Sequence, residues 1–131
     1  MSQENVEVVR RNIEAFNRRD LRTWLATYSS DAEIDWSRAR GPFKGVYCGR
    51  SGQEAFWEVF LTFDWGELET YDITKAGSEV VVPNSTTFRG RQGIEVVARS
   101  TLVYTIENEQ ITRLRMFQER AEALEAAGLS E

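Results

Sequence analysis

The sequence predicts an α+β fold: a strongly curved, mixed or antiparallel sheet wrapped around three N-terminal helices as a cone-shaped barrel, with a short helix at the C-terminal end. Three observations predict it. Apolar residues recur at spacings of three and four through the first helical segments. From Asp64 onward the period changes to two. The two longest alternating runs, Ile94 to Ile106 and Gln110 to Gln118, are separated only by Glu107-Asn108-Glu109, so they form a hairpin.

That hairpin organises the rest. Val96, Ala98, Ser100, Leu102, Tyr104 and Ile106 fall on one face, and Val97, Arg99, Thr101, Val103 and Thr105 on the other. Leu114 and Met116 oppose Arg113 and Arg115. The core and any pocket belong on the apolar face.

Taken in order, Ser2 to Arg19 is a helix with an apolar stripe of Val6, Val9, Ile13 and Phe16, Ser2 being the expected N-cap. Asp20 caps a second helix bearing Leu21, Trp24, Leu25 and Tyr28, which Ser29-Ser30-Asp31 ends as a turn. Ala32 to Trp36 alternates as a short strand. A long loop runs from Ser37 to Gly49. Ser51 and Glu54 have the spacing of a capping box before a third helix carrying Phe56, Trp57, Val59, Phe60 and Leu61. Glu67 to Thr74 and Glu79 to Arg89 are strands, with a bulge or an edge expected at Pro83 because it has no N–H to donate. Glu119 to Ala127 is the last helix, capped by Gly128 with Leu129 following.

The 131 residues make one domain, 1–131, with a hydrophobic fraction of 41%, ordinary for a globular chain. A net charge of −5 disfavours nucleic acid and anionic membranes, and the longest apolar runs are too short to span a bilayer. Arg10, Arg11, Arg18, Arg19 and Arg22 are interleaved with acids and read as a solvated helix face. Met1-Ser2-Gln3-Glu4 carries no basic segment followed by an apolar one, which leads to a cytoplasmic expectation. There is no histidine and a single cysteine, Cys48. That removes histidine-activated nucleophiles, histidine metal sites and disulfides. No cofactor or metal is expected. Acid–base work falls to Asp, Glu, Tyr, Lys or water.

Counting along the strands, the concave face receives Trp36, Asn84, Thr86, Phe88, Ser100, Leu102, Tyr104, Met116 and Gln118. Helices add Asn12, Phe16, Tyr28, Trp57 and Phe60. This aromatic lining with a few neutral hydrogen-bonding groups suits a flat or cyclic apolar ligand. Each aromatic taken singly fits a plain core residue as well. Tyr104 is the candidate acid if it points into the cone, and an inert rim residue if its hydroxyl meets water. Glu119 is the one carboxylate expected near the mouth, in a catalytic role or as an N-cap.

The element order resembles the nuclear transport factor 2-like superfamily, and within it the SnoaL-like, polyketide cyclase-like branch. The carriers are Val8 to Asp20, Asp31 to Trp36, Gly45 to Gly49, Phe88 to Arg91 and the ending Ala121 to Leu129. The resemblance covers nearly the whole chain and implies a cone-shaped pocket, often in a homodimer. Relatives include ketosteroid isomerases, polyketide cyclases, epoxide hydrolases and proteins without known activity. Ketosteroid isomerases place an acid where Trp36 stands, a tyrosine at Asn12 and a protonated aspartic acid near Leu102. The epoxide hydrolase pattern of aspartates around an arginine is sought in Asp35, Arg99 and Arg115, which alternation puts on the face away from the pocket.

Three readings stand at this point. One is a small-molecule binder acting as a cofactor-free isomerase, cyclase or hydrolase on an apolar carbonyl or epoxide. The second is a non-catalytic ligand binder or dimeric interaction module. The third is structural, a cone whose aromatics fill the cavity completely.

Overall fold

The computed structural model describes residues 2–129, without the side chains of Ser2, Pro42, Trp65 and Arg91. The expected N-cap contact of Ser2 therefore lies outside the described residues. Seven strands, β1 (Tyr28–Trp36), β2 (Gly45–Cys48), β3 (Trp65–Thr70), β4 (Thr74–Ala76), β5 (Glu79–Arg89), β6 (Glu95–Glu107) and β7 (Gln110–Phe117), form one sheet in the order β2-β1-β7-β6-β5-β3, with β4 also on β5. Helices α1 (Ser2–Asn17), α2 (Leu21–Ala26) and α3 (Gly49–Phe60) lie against one face, and α4 (Arg120–Ala126) covers part of the other.

The expected breaks between helices are made by backbone capping. α1 stops where Arg19 takes a left-handed φ of 56°, and Asp20 N–H returns to Ala15 O at 2.9 Å. Asp20 then caps α2, accepting from Thr23 N–H at 3.2 Å and from the Thr23 hydroxyl at 2.7 Å. At the far end Gly128 has φ 81°, and Leu129 N–H reaches Leu124 O at 2.7 Å, closing a Schellman motif.

Strand β1 (Tyr28–Trp36) starts four residues earlier than the alternation suggests. Tyr28 belongs to this strand and not to α2. The Ser29-Ser30-Asp31 stretch is a register shift inside β1, which runs parallel to β7 (Gln110–Phe117). Loose carbonyls in such a shift need partners. Buried Gln53 donates to Ser29 O and Ala32 O, and Arg50 donates to Tyr28 O and to Gln53 Oε1. For this reason α3 begins at Gly49 and Ser51 lies inside it, where the expected capping box does not form. The loop before it holds a 3₁₀ turn at Gly41–Phe43 and strand β2 (Gly45–Cys48), antiparallel to β1.

Strand β5 (Glu79–Arg89) keeps the expected limits. It pairs with β6 (Glu95–Glu107) without a break from Glu79–Thr105 to Arg89–Glu95, so Pro83 makes no bulge there. On its other side the expected single strand is divided into β3 (Trp65–Thr70) and β4 (Thr74–Ala76), and Pro83 faces the gap. Its carbonyl accepts from Tyr71 N–H at 2.9 Å, and its missing N–H points to the same side, where no strand asks for it. The β6–β7 hairpin turns through Asn108 and Glu109, both left-handed, as a two-residue turn of that hand requires.

The face bearing the arginines is not simply solvated. Val81, Val103 and Phe117 form a second small core there, covered by Ala123 and Leu124 of α4. Arg115 pairs with Glu79 at 2.7 Å, Arg113 with Glu33 at 3.3 Å and Arg38 with Asp35 at 3.6 Å. Of the helix arginines, Arg10, Arg11, Arg18 and Arg22 are exposed, whereas Arg19 reaches Phe63 O at 2.9 Å.

Asn17 ties the end of α1 to the sheet, donating to Leu68 O at 3.1 Å and accepting from Leu68 N–H at 2.8 Å. Replacing it with alanine leaves a half-buried strand backbone unpaired. Asn17→Ala is expected to lower unfolding stability by about 1–3 kcal/mol, read as a drop in the urea midpoint with an unchanged slope.

Candidate functional site

Between the concave face and α1–α3 lies a cavity of about 470 Å³, within the roughly 300–1,000 Å³ range of small-molecule sites. Its depth follows from burial. Asn12, Trp24, Tyr28, Phe56, Leu102, Tyr104, Leu114 and Met116 are buried and make the floor and lower walls. Arg40, Val96, Val97, Ala98, Arg99 and Gln118 are exposed and make the mouth. Among the described residues, the only charged ones in the lining are the two arginines at the mouth.

The floor is polar within an aromatic surround. Tyr104 donates to Asn12 Oδ1 at 3.1 Å, Asn12 Nδ2 donates to Thr27 Oγ1 at 2.9 Å, and Thr27 donates to Trp24 O at 2.6 Å. Tyr104 is therefore deep in the cone and not at the rim. Beside this chain stands the fully buried Tyr28 hydroxyl, which has no hydrogen-bond partner. Asn12, whose Oδ1 accepts from Tyr104, is close enough to act on it but makes no hydrogen bond to it. Burial pushes both hydroxyls well above the usual tyrosine value, and the nearness of Tyr28 raises Tyr104 further. Both are neutral hydrogen-bond donors at physiological pH.

Halfway up the wall, Asn84 donates to Ser100 Oγ at 3.2 Å and accepts from Thr86 Oγ1 at 2.9 Å. This leaves the Ser100 proton and the Thr86 lone pairs for a ligand. At the mouth, Gln118 donates to Arg38 O at 2.8 Å, which keeps its own carbonyl oxygen for a guest.

Of the residues expected from sequence, Asn12, Phe16, Tyr28, Trp36, Phe60, Asn84, Thr86, Phe88, Ser100, Leu102, Tyr104, Met116 and Gln118 line the cavity. Two do not. Trp57 packs behind the wall, 5.0 Å from Trp24 and 6.3 Å from Phe16 between ring centres, because α3 turns Phe56 to the cavity instead. Glu119 is exposed, outside the lining, at the N-cap of α4 without a side-chain capping bond. Tyr28 arrives from β1, not from a helix.

Sequence reasoning missed Trp24, Phe43 and Phe56. Trp24 and Phe56 lie on apolar helix stripes and were legible as core. Phe43 sits in the 3₁₀ turn and stacks 5.6 Å from Phe88, a contact no periodicity announces. Asp35 points away from the cavity. Burial alone would raise its carboxyl, but hydrogen bonds from Ser37 and the charges of Arg38 and Arg113 outweigh that and hold it below the usual range. Arg115 is likewise outside the lining, so the Asp35–Arg99–Arg115 set is not assembled in the cavity. Among the described residues, no three His, Cys, Asp or Glu side chains gather around a common metal position. None of the described helices is long and apolar enough to cross a membrane.

The family model of the SnoaL-like domain matches residues 9–114. No curated protein matches the chain. Among solved structures, an NTF2-like protein of unknown function from Burkholderia pseudomallei is 23% identical, with 93% of this chain and 95% of that one covered and a TM-score of 0.77. SalBIII, described as an epoxide hydrolase/cyclase-like enzyme in pyran ring formation of the polyether salinomycin, is 19% identical over 88% of this chain and 90% of that one, TM-score 0.75. RV0760c from Mycobacterium tuberculosis, in complex with estradiol-17beta-hemisuccinate, is 14% identical over 88% and 94%, TM-score 0.77.

Two outcomes test the floor. Tyr28→Phe removes a buried hydroxyl that nothing satisfies, so denaturant unfolding should show unchanged or higher stability, by up to about 1 kcal/mol. The pH dependence has a definite sign. Unfolded tyrosines ionise near 10, whereas Tyr28 and Tyr104 stay neutral in the folded protein. Their contribution is intact below that pH and lost as pH rises above it. Spectroscopic titration should show two of the four tyrosines ionising only on alkaline unfolding.

Proposed function

The chain belongs to the SnoaL-like domain family and has the NTF2-like fold, and on that basis we propose that it binds an apolar, cyclic small molecule, oxygen end first, in the cavity under the sheet. One observation carries the reading: a buried, unpartnered tyrosine hydroxyl at the floor of an otherwise aromatic cavity. A buried donor without an acceptor costs about 1–3 kcal/mol. A carbonyl or epoxide oxygen brought to the floor gives it one after a small side-chain movement, and the aromatic walls take the apolar rings. Ser100, Thr86 and Gln118 offer further hydrogen bonds to substituents nearer the mouth.

In the catalytic version the protein acts as a cofactor-free isomerase, cyclase or hydrolase. Tyr28 polarises the substrate oxygen as a neutral donor, while Tyr104 gives its one proton to Asn12 Oδ1 and fixes, with Thr27, the floor beside it. Among the described residues, the lining contains no carboxylate and no lysine. In a ring closure a substrate hydroxyl forms the new C–O bond as the epoxide C–O bond breaks, and its proton passes by way of a water to the released oxygen, which needs no side-chain base and suits this lining better than abstraction of a carbon-bound proton. That same lack of a side-chain base favours a second reading, a binding protein without turnover.

One panel separates these. Cyclic ketones and epoxides are titrated against their parent hydrocarbons, with quenching of Trp24 and Trp36 as the binding signal and product formation followed in parallel. Ketones should bind more tightly than the hydrocarbons. Tyr28→Phe should erase that preference, a loss of about 5- to 30-fold for the ketone with little change for the hydrocarbon. If turnover is found, Tyr28→Phe should lower kcat by roughly 10²–10³ as well. Binding without product supports the non-catalytic reading. Equal affinity for ketone and hydrocarbon in the wild type would sink the oxygen-first orientation.

A further inference from the structure

Asn84 stands on the cavity face of β5 directly opposite Ser100 of β6, and Thr86 is the next residue of β5 on that face. The orientation of the Asn84 amide is fixed by what surrounds it. One end lies 3.2 Å from Ser100 O and 3.4 Å from Val82 O. A backbone carbonyl only accepts, so this end is the nitrogen. The same nitrogen lies 3.2 Å from the Ser100 hydroxyl. The other end is then Oδ1, which only accepts, and the Thr86 hydroxyl at 2.9 Å must donate to it. Asn84 and Thr86 are both buried, which shields the arrangement from exchange with bulk water.

A hydroxyl has one proton and two lone pairs. Thr86 has given its proton to Asn84, so toward the cavity it only accepts. Ser100 gives its proton to no acceptor among the described residues, and its oxygen already faces the Asn84 N–H. Toward the cavity it is therefore a donor. One amide thus turns two chemically similar hydroxyls into an acceptor and a donor on the same stretch of wall. A ketone or ether oxygen can use only the donor, and it sets its own lone pairs against those of Thr86. A hydroxyl can use both, accepting from Ser100 and donating to Thr86. Ser100 also precedes Tyr104 by four residues on β6, roughly 13 Å along the strand. A ligand oxygen at the floor is therefore a different one from an oxygen at Ser100.

We propose that Ser100 and Thr86, set in polarity by Asn84, form a subsite for a hydroxyl group at the end of the ligand remote from its floor-bound oxygen. The subsite presupposes the oxygen-first binding proposed for the cavity, and it narrows the ligand to a hydroxy ketone or a hydroxy epoxide. A diketone or a methyl ether of the same shape is disfavoured at this height of the wall, because either leaves the Thr86 lone pairs without a donor.

Four bicyclohexyl ketones test this, alike except at the end remote from the ketone, which carries a hydroxyl, a second ketone, a methoxy group or hydrogen. Binding is read by quenching of tryptophan fluorescence, with thermal unfolding of each variant alongside. The wild type should bind the hydroxy ketone about tenfold more tightly than the diketone or the methoxy ketone. Thr86→Val removes the acceptor and should bring the hydroxy ketone and the diketone to within about twofold of each other. Ser100→Ala removes the donor and should weaken both by about 3- to 10-fold, the hydroxy ketone staying ahead. Thr86→Ser keeps a hydroxyl on Asn84 and should keep the wild-type order. A wild type without preference for the hydroxyl overturns the subsite. So does a preference that Thr86→Val and Ser100→Ala both leave intact. Bicyclohexyl itself, compared with the plain ketone, reports separately on the floor contact, so the oxygen-first reading can stand while the subsite falls. If none of the four ketones binds, both fall together. If Thr86→Val does not fold, Ser100→Ala decides: a loss of affinity for the hydroxy ketone supports the subsite and an unchanged affinity overturns it.

Discussion

The unbroken ladder between β5 and β6 is the constraint on which the rest of the molecule depends. Its eleven-residue partner strand has no bulge against β6, so side chains keep strict alternation from Glu79 to Arg89 and from Glu95 to Thr105. One slip would exchange Ser100, Leu102 and Tyr104 for Thr101 and Val103. The first set faces α1–α3 and the cavity, and the second is packed under α4 or beside it. The ladder thus makes two cores from one sheet. It also settles where a proline is harmless: Pro83 turns its missing donor toward the gap between β3 and β4.

The cavity is the residue of that arrangement. A curved sheet and three short helices cannot be brought into full contact, and aromatic side chains from α1, α3, the 3₁₀ turn and β5 line the space without filling it. Polar groups occur in it in a graded order. The deepest are neutral and linked in a chain from Tyr104 through Asn12 to Thr27, with the Tyr28 hydroxyl left over. The middle ones are shared among Asn84, Thr86 and Ser100. Charge appears only where solvent reaches. An apolar interior of low dielectric penalises an ion far more than a hydroxyl, which accounts for the order and for the elevated ionisation of both tyrosines.

Much of the fold and of the cavity lining was legible in the sequence, because period and burial are the same fact seen twice. The alternation in β5 and β6 assigned Asn84, Thr86, Phe88, Ser100, Leu102 and Tyr104 to one face, where they are found. Helices were less forgiving. A rotation of one residue position separates Phe56, on the cavity, from Trp57, behind it, and two adjacent large aromatics in α3 leave the phase of the stripe undetermined. Ser51 has the chemistry of a cap, yet Arg50 and Gln53 draw the helix start back to Gly49 by bonding carbonyls of β1. Glu119 has the chemistry of a catalytic acid, yet the strand-to-helix junction leaves it in solvent.

By itself the sequence determined the class of fold, the order of its elements, the face of the long hairpin that is apolar, and the absence of histidine chemistry. Those properties are local: each is written in spacing and composition over a few residues. Only the tertiary structure decided that Tyr28 and Tyr104 meet at Asn12, that Gln53 satisfies the irregular start of β1, and that β6 extends past β7 to leave a free edge at the cavity mouth. These depend on pairings between segments tens of residues apart, and no local pattern encodes which distant hydroxyl, carbonyl or strand end will lie opposite another.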